Sequence, residues 1–238
     1  MKLDILAFGA HPDDVELGAA ATIAKEISLG KKVGIIDLTQ GELGTRGSKE
    51  LRKVEASNAA AILGVTVREN LKFADGFFIN DKKHQLEVIK SIRKYKPEII
   101  LCNAVDDRHI DHGKGSKLVS DACFLSGLEK IETKLDGKLQ EKWRPKLVYH
   151  YMQWKNTEPD FVVDVSGFID VKMNAVLAYS SQFYDPNSKE AETPITSKNF
   201  TDSIQYRAKE LGRLIGVNHA EGFTVERSIA ITSLDKLI

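Results

Sequence analysis

Along this chain, short apolar runs alternate with longer stretches in which apolar residues recur every three or four positions. The runs "DILAFGA" (4–10), "KVGIIDLT" (32–39), "EIILCNA" (98–104), "KLVYHYM" (146–152) and "FVVDVS" (161–166) read as strands, with a weaker one near "VRENLKF". After the first run, Val15, Ala19, Ile23 and Ile27 follow at i+4 steps, and Gly30 sits where a C-terminal cap belongs. Over 82–96, Leu86, Val88, Ile89, Ile92 and Tyr95 share one half of a helix circumference, and Pro97 stops it. This alternation predicts an α/β fold, a mainly parallel sheet flanked by helices that cover its faces. The polar stretches 133–145 and 183–202 read as loops, the second long enough to be a lid over a site. A last helical segment, "TDSIQYRAKELGRLIG", precedes "VNHAEGFTVERSIAI", and the chain has no internal repeat or low-complexity segment.

With 238 residues, 42% hydrophobic and 29% charged, one domain spanning 1–238 with a sizeable core is expected. Lys+Arg and Asp+Glu both count 34, so nothing electrostatic favours nucleic acid or an anionic membrane, and a small-molecule partner is expected. Asp4 interrupts the apolar opening, which argues against a signal peptide, and no apolar run approaches the roughly 20 residues of a membrane span. The two cysteines, Cys102 and Cys123, lack CxxC spacing and sit among apolar residues, as core thiols of a cytoplasmic protein do. There is no GxGxxG after the first strand and no GxxxxGK[ST], which argues against Rossmann-type NAD binding and P-loop chemistry.

Candidate chemistry gathers at two strand ends. "HPDDVE" follows the first strand, and its plain reading is a helix cap in which an Asp and Glu16, three residues on, satisfy free N–H groups. Capping requires no histidine, whereas His11 leaving the strand and an acid at the helix start can converge on one ion. "VDDRHIDHGKG" follows strand 98–104 and supplies His109, Asp111 and His112; alone it also reads as a hydrated loop. In doubly wound sheets ligands bind at the C-terminal strand edge, where the first strand and one from the second half lie side by side. Two histidines and one carboxylate then make three ligands with a position left for water, the arrangement of a catalytic zinc. The residue pattern does not decide which of the adjacent aspartates binds.

"AHPDDVELGAAAT" resembles the signature of the PIG-L/LmbE-like zinc-dependent N-deacetylases, which act on N-acetylglucosamine linked to another group. "GELGTRGS", "LRKVEASNAAAILG", "DRHIDHGKG" and "HAEGF" are similar to that family too, in the same order. Within it the resemblance points to the bacillithiol-biosynthesis branch, which removes acetate from N-acetyl-α-D-glucosaminyl L-malate. The resemblance implies a Rossmann-like, LmbE-like fold, His11, Asp14 and His112 as ligands of Zn2+ (Fe2+ being the alternative ion), and Asp13 as general base. Protonated His109 would meet the developing oxyanion, with Asp111 close enough in sequence to orient it and favour its charge. A helix N-terminus and a nearby cation would favour ionised Asp13 and weaken it as a base, so its position must compensate.

Arg52 is expected to hold substrate, against the alternative of an i, i+3 ion pair with Glu55. Arg108, beside the second cluster, and Arg46, in a Gly-rich loop, are further substrate candidates, although Arg46 also reads as a solvated residue. Some relatives carry a tyrosine where this chain has Asp107, so that role is not transferred. His84 is expected at the surface and His150 packed in or beside the sheet; for His219 only nearness to the site is expected. Relatives form homo-oligomers, including hexamers, which implies one here. A non-haem iron(II) oxygenase with the same triad and a non-catalytic sugar-binding protein are the competing readings.

Overall fold

A computed structural model describes residues 1–233; of the domain expected over 1–238, residues 234–238 lie outside the described residues. In chain order the elements are β1 (Ile5–Gly9), α1 (Asp14–Ser28), β2 (Val33–Thr39), α2 (Lys49–Leu63), β3 (Val67–Phe73), α3 (Lys82–Tyr95), β4 (Ile99–Cys102), α4 (Ile110–Ser126), β5 (Lys134–Leu135), β6 (Lys138–Leu139), β7 (Leu147–Tyr151), β8 (Phe161–Asp164), α5 (Ile169–Leu177), α6 (Lys198–Leu214) and β9 (Ala220–Val225). All six expected strands form, within a residue or two of their predicted ends. The expected helices over 14–28 and 82–95 form as well; Gly30 takes the left-handed backbone that ends the first, and left-handed Lys96 before Pro97 ends the second.

Seven strands make one sheet in the order β3-β2-β1-β4-β7-β9-β8. Pairing is parallel from β3 through β7, whereas β9 runs antiparallel between β7 and β8. The apolar run of β1 is buried on both faces, so its side chains divide between two cores. Ile5 and Ala7 join the layer of α1, α2 and α5, while Leu6 and Phe8 join that of α3 and α4. The strand order reverses direction at β1, whose neighbours are β2 and β4, so the switch point lies between β1 and β4 as expected.

Three expectations need correction. The stretch 133–145 holds the β5–β6 hairpin, whose turn residues Asp136 (φ 50°) and Gly137 (φ 77°) are both left-handed; the Asp-Gly pair was the signal for it. Helix α6 begins at Lys198, inside the stretch read as a loop to 202, with Ser197 accepting from the Phe200 N–H as its cap. Strand β9 was not foreseen, because "AEGFTV" interrupts its apolar pattern with Glu221 and Gly222. Glu221 is buried against Lys172 (2.6 Å), and a Cβ on Gly222 would lie 2.5 Å from the Met152 sulfur, so both exceptions serve packing.

Candidate metal centre and active-site cavity

The chain leaves β1 through His11 and Pro12 and enters α1 at Asp13, whose φ of 112° and ψ of −23° lie in left-handed territory. A non-glycine residue held there costs on the order of 1–3 kcal/mol and persists only when surroundings impose it. The capping reading fails, since Asp13 makes no side-chain cap hydrogen bond. Instead Asp14 Oδ2 accepts from the His11 backbone N–H (2.9 Å), and the turn sends the two adjacent carboxylates to different partners. Asp13 meets Arg52, whose guanidinium donates to Asp13 Oδ2 (3.1 Å) and to the Pro12 carbonyl.

Asp14 faces inward, between two imidazoles. Its Oδ2 lies 3.5 Å from His11 Nδ1 and its Oδ1 lies 3.1 Å from His112 Nε2. Each ring uses its other nitrogen on a second carboxylate: His11 Nε2 on Asp75 (3.0 Å) and His112 Nδ1 on Asp107 (2.6 Å). Asn103 and Gln153 donate to Asp14 at 3.0 and 3.1 Å. Histidines that bind metal ordinarily hold their second nitrogen on such a carboxylate, which fixes the tautomer and aims the first nitrogen. His11, Asp14 and His112 are therefore brought together, with both imidazoles braced as those of metal ligands are. Among the described residues, the sets whose ligand atoms all lie within 4.8 Å of one another are His11–His109–His112 and His11–Asp75–Asp111; Asp14 meets His11 and His112 through separate oxygens and belongs to neither set.

Burial is the dominant influence on Asp13 and pushes its carboxyl up to about 7; Arg52 pulls the other way and Asp14 adds to the rise. Desolvation thus outweighs the nearby cation, and the Asp13 carboxyl lies near neutrality rather than in the ionised range expected from the sequence. For Asp14 the cost of burial is overcome by His112 and His11, which hold it well below the usual carboxylate range. Against burial, Asp14 and Asp107 push His112 up to about 9.

The expected His109–Asp111 pair takes a different form. The Asp111 carboxylate accepts from the Gly76 N–H (2.7 Å) and Lys114 (3.1 Å) and lies 3.5 Å from His11 Nε2. Only the Asp111 backbone N–H meets His109, at Nδ1 (3.2 Å). Burial, followed by the charges of His11 and His112, lowers the His109 pKa, so protonated His109 is disfavoured. With Nδ1 accepting, the neutral ring carries its proton on Nε2, still a hydrogen-bond donor.

Asp13, Asp14, Asp75 and Asp107 with His11, His109 and His112 line a cavity of about 630 Å³, which Arg52 and Arg108 also reach, whereas Asp111 does not line it. Arg52 forms no pair with Glu55, which instead accepts from the Ser181 N–H (2.7 Å) and the hydroxyls of Ser180 and Ser181. Arg108 lies over the Trp154 ring, 4.5 Å from its centroid. Arg46 does not line the cavity: it is buried and donates to Glu190 (3.2 Å) and Ser188, fastening the 183–202 segment. It thus lies off the cavity and is buried rather than simply solvated. His219 is also absent from the lining, its N–H bound to Ser166 Oγ (3.3 Å). His150 packs within the sheet as expected, bonded to Ser116 and Glu226, whereas His84 is half-buried against Phe73.

Sequence reasoning missed Asp75, Asn103 and Gln153 and gave Asp107 no role. All four follow C-terminal ends of parallel strands, β3, β4 and β7, at the edge where His11 leaves β1. That shared edge was the available signal, but isolated polar residues after a strand are too common to read without the strand order.

The family model for GlcNAc-PI de-N-acetylase (PIG-L) matches residues 6–123. The crystal structure of the conserved protein TT1542 from Thermus thermophilus is 32% identical, with 98% of both chains covered and a TM-score of 0.87. Diacetylchitobiose deacetylase of Thermococcus kodakarensis is 29% identical over 190 residues, 75% of this chain and 70% of its own. The fold is shared more widely: GalB, the 4-carboxy-2-hydroxymuconate hydratase of Pseudomonas putida KT2440, is 22% identical, with 98% and 100% covered and a TM-score of 0.77. The chain spans between 60% and 70% of the length of the curated relatives it matches. It belongs to the PIG-L/LmbE-like deacetylase family.

Proposed function

We propose that this protein is a zinc-dependent hydrolase that removes the N-acetyl group from N-acetylglucosamine joined to an acidic aglycone, with N-acetyl-α-D-glucosaminyl L-malate as its substrate. The observation that carries the reading is the Asp14 carboxylate between His11 Nδ1 and His112 Nε2, each ring braced by a carboxylate on its far side, with Asp13 adjacent. The donor set of two imidazoles and one carboxylate fits zinc, and His11, Asp14 and His112 would hold it. When bound there, the ion supplies a Lewis acid for the acetamide carbonyl and acidifies a water.

The chain's own residues supply the rest. Asp13, with a carboxyl near 7, accepts the proton of the attacking water and returns it to the leaving amine. Arg52 donates to Asp13 Oδ2 and so fixes where that proton is taken. His109, neutral and donating from Nε2, serves the oxyanion without needing the positive charge expected from sequence. Arg108 reaches the cavity from its rim, where its planar fork suits a malate carboxylate.

The test is amine release by zinc-loaded protein from N-acetylglucosaminyl malate, with free N-acetylglucosamine alongside. A strong preference for the conjugate is expected. Equal turnover of both would remove the acidic aglycone, and turnover of neither would remove the substrate assignment.

A further inference from the structure

Gln153 and Trp154 follow β7 side by side, both line the cavity, and their side chains meet different partners there. The Gln153 carbonyl oxygen accepts from Asn103 Nδ2 (3.0 Å) and the Ala104 N–H (3.1 Å) through its side-chain amide. With its oxygen so occupied, the amide must turn its nitrogen outward, where it donates to Asp14 Oδ1 at 3.1 Å and lies 3.4 Å from His112 Nε2. Trp154 carries Arg108 over its ring at 4.5 Å and stacks on Phe200 of α6 with centroids 5.5 Å apart and planes 17° from parallel. A guanidinium that presents its face to an indole keeps its in-plane donors for another partner.

One residue secures both. Arg207, on the second half of α6, donates from Nη1 to the Gln153 backbone carbonyl and from Nη2 to the Trp154 backbone carbonyl (2.9 Å). These are consecutive backbone oxygens just past the end of a strand, and among the described residues no backbone N–H donates to them. The fork therefore sets the path of the dipeptide, and with it the direction in which each side chain departs. Arg207 lies beyond residues 6–123, in the part of the chain that the family model does not match.

We propose that Arg207 is a positioning residue that clasps the Gln153 and Trp154 carbonyls, aiming the Gln153 amide at Asp14 and the Trp154 ring beneath Arg108. It couples the C-terminal helix to the metal centre on one side and to recognition of an anionic aglycone on the other. The second half of the inference rests on the proposed substrate class; the first half does not.

The experiment compares wild-type protein with Arg207→Met, Arg207→Lys and Trp154→Leu. Zinc affinity is read by competition with a chromogenic chelator, and selectivity as the kcat/KM ratio between the malate conjugate and the neutral methyl N-acetylglucosaminide. Arg207→Met is expected to weaken zinc by up to about tenfold, the lower end of the effect of losing a partner bonded to a ligand, because Arg207 acts on Asp14 through Gln153. It should also lower the conjugate's advantage severalfold, mainly through KM. Trp154→Leu should lower that advantage while leaving zinc affinity within about twofold, a separation that general destabilisation does not produce. Arg207→Lys, which keeps a cation but offers one nitrogen to two carbonyls, should fall between and serves if the Met variant does not fold. Unchanged zinc affinity and selectivity in the Arg207 variants would overturn the clasp. If wild-type protein turns over neither glycoside, the proposed substrate class fails, and the zinc measurement still decides the clasp.

Discussion

Asp13 and Asp14 are adjacent in sequence and opposite in circumstance. Asp14 is surrounded by donors and imidazoles that favour its charge, whereas Asp13 is desolvated and relieved chiefly by Arg52. Asp13→Asn should lower turnover by roughly 10²–10⁴-fold with zinc retained. The same change should stabilise the metal-free protein, and the sign follows from proton linkage. A carboxyl whose folded pKa is about 7 and whose ordinary value is 3.8 keeps a proton in the folded state that the unfolded chain has released. Stability is therefore lost as pH rises through that window, and the penalty is complete above about 7. Thermal midpoints of Asp13→Asn should exceed wild type at pH 8 and converge with it near pH 4; no gain at pH 8 would contradict the buried, raised carboxyl. Asn also tolerates the left-handed backbone that Asp13 occupies. At this scale the residue types of the site were legible, because two histidines and paired acids at strand ends have few other uses. Their supporting partners were not, since Asp75 and Gln153 acquire meaning only through atoms brought in from other strands.

Among the elements, α1 has the most exacting position, because its first turn carries Asp14. Its approach to the sheet is set by Gly18: a Cβ there would lie 2.1 Å from Tyr151 Cδ2, and Tyr151 is itself tied to β1 by a hydrogen bond from its hydroxyl to the Phe8 carbonyl (2.8 Å). Gly18→Ala should therefore destabilise despite Ala being the better helix former, by about 1–3 kcal/mol as overpacked cores do. A fall in the urea midpoint measures this, and an unchanged midpoint would show that the ring or helix yields freely. Helix α1 could be foreseen from its i+4 apolar steps, but its closeness to β7 could not. Strand β9 shows the same limit. Its Glu221 looks like a break in an apolar pattern until the buried Lys172 beside it is seen.

For the whole molecule, the candidate metal centre joins segments that follow β1, β3, β4 and β7, so an ion bound there should hold the switch-point edge together. Zinc that binds only the folded state stabilises it by mass action, about 2.7 kcal/mol at a hundredfold excess over Kd. Chelation should lower the thermal midpoint, and readdition should restore it. In Asp14→Asn the midpoint should no longer respond to zinc; an unaltered response would move the ligand role to another carboxylate. Among the described residues no helix is long and apolar enough to cross a membrane.

The alternation of apolar runs and helical periodicities determined the α/β class and most element positions, because burial on a two-sided sheet demands such a pattern locally. It also determined which residue types stand at the ends of β1 and β4. Only the tertiary structure decided which of those residues meet. The strand order puts β1 beside β4 and brings Asp75, Asp107 and Gln153 to the same edge. It also turned Arg46 away from the cavity, set the Asp111 carboxylate on His11 rather than His109, and gave Arg207 its two carbonyls. Apart from Asp107, five residues before His112, these are contacts between residues tens of positions apart, whose energies depend on distance and burial, and neither quantity is carried by the local order of residues.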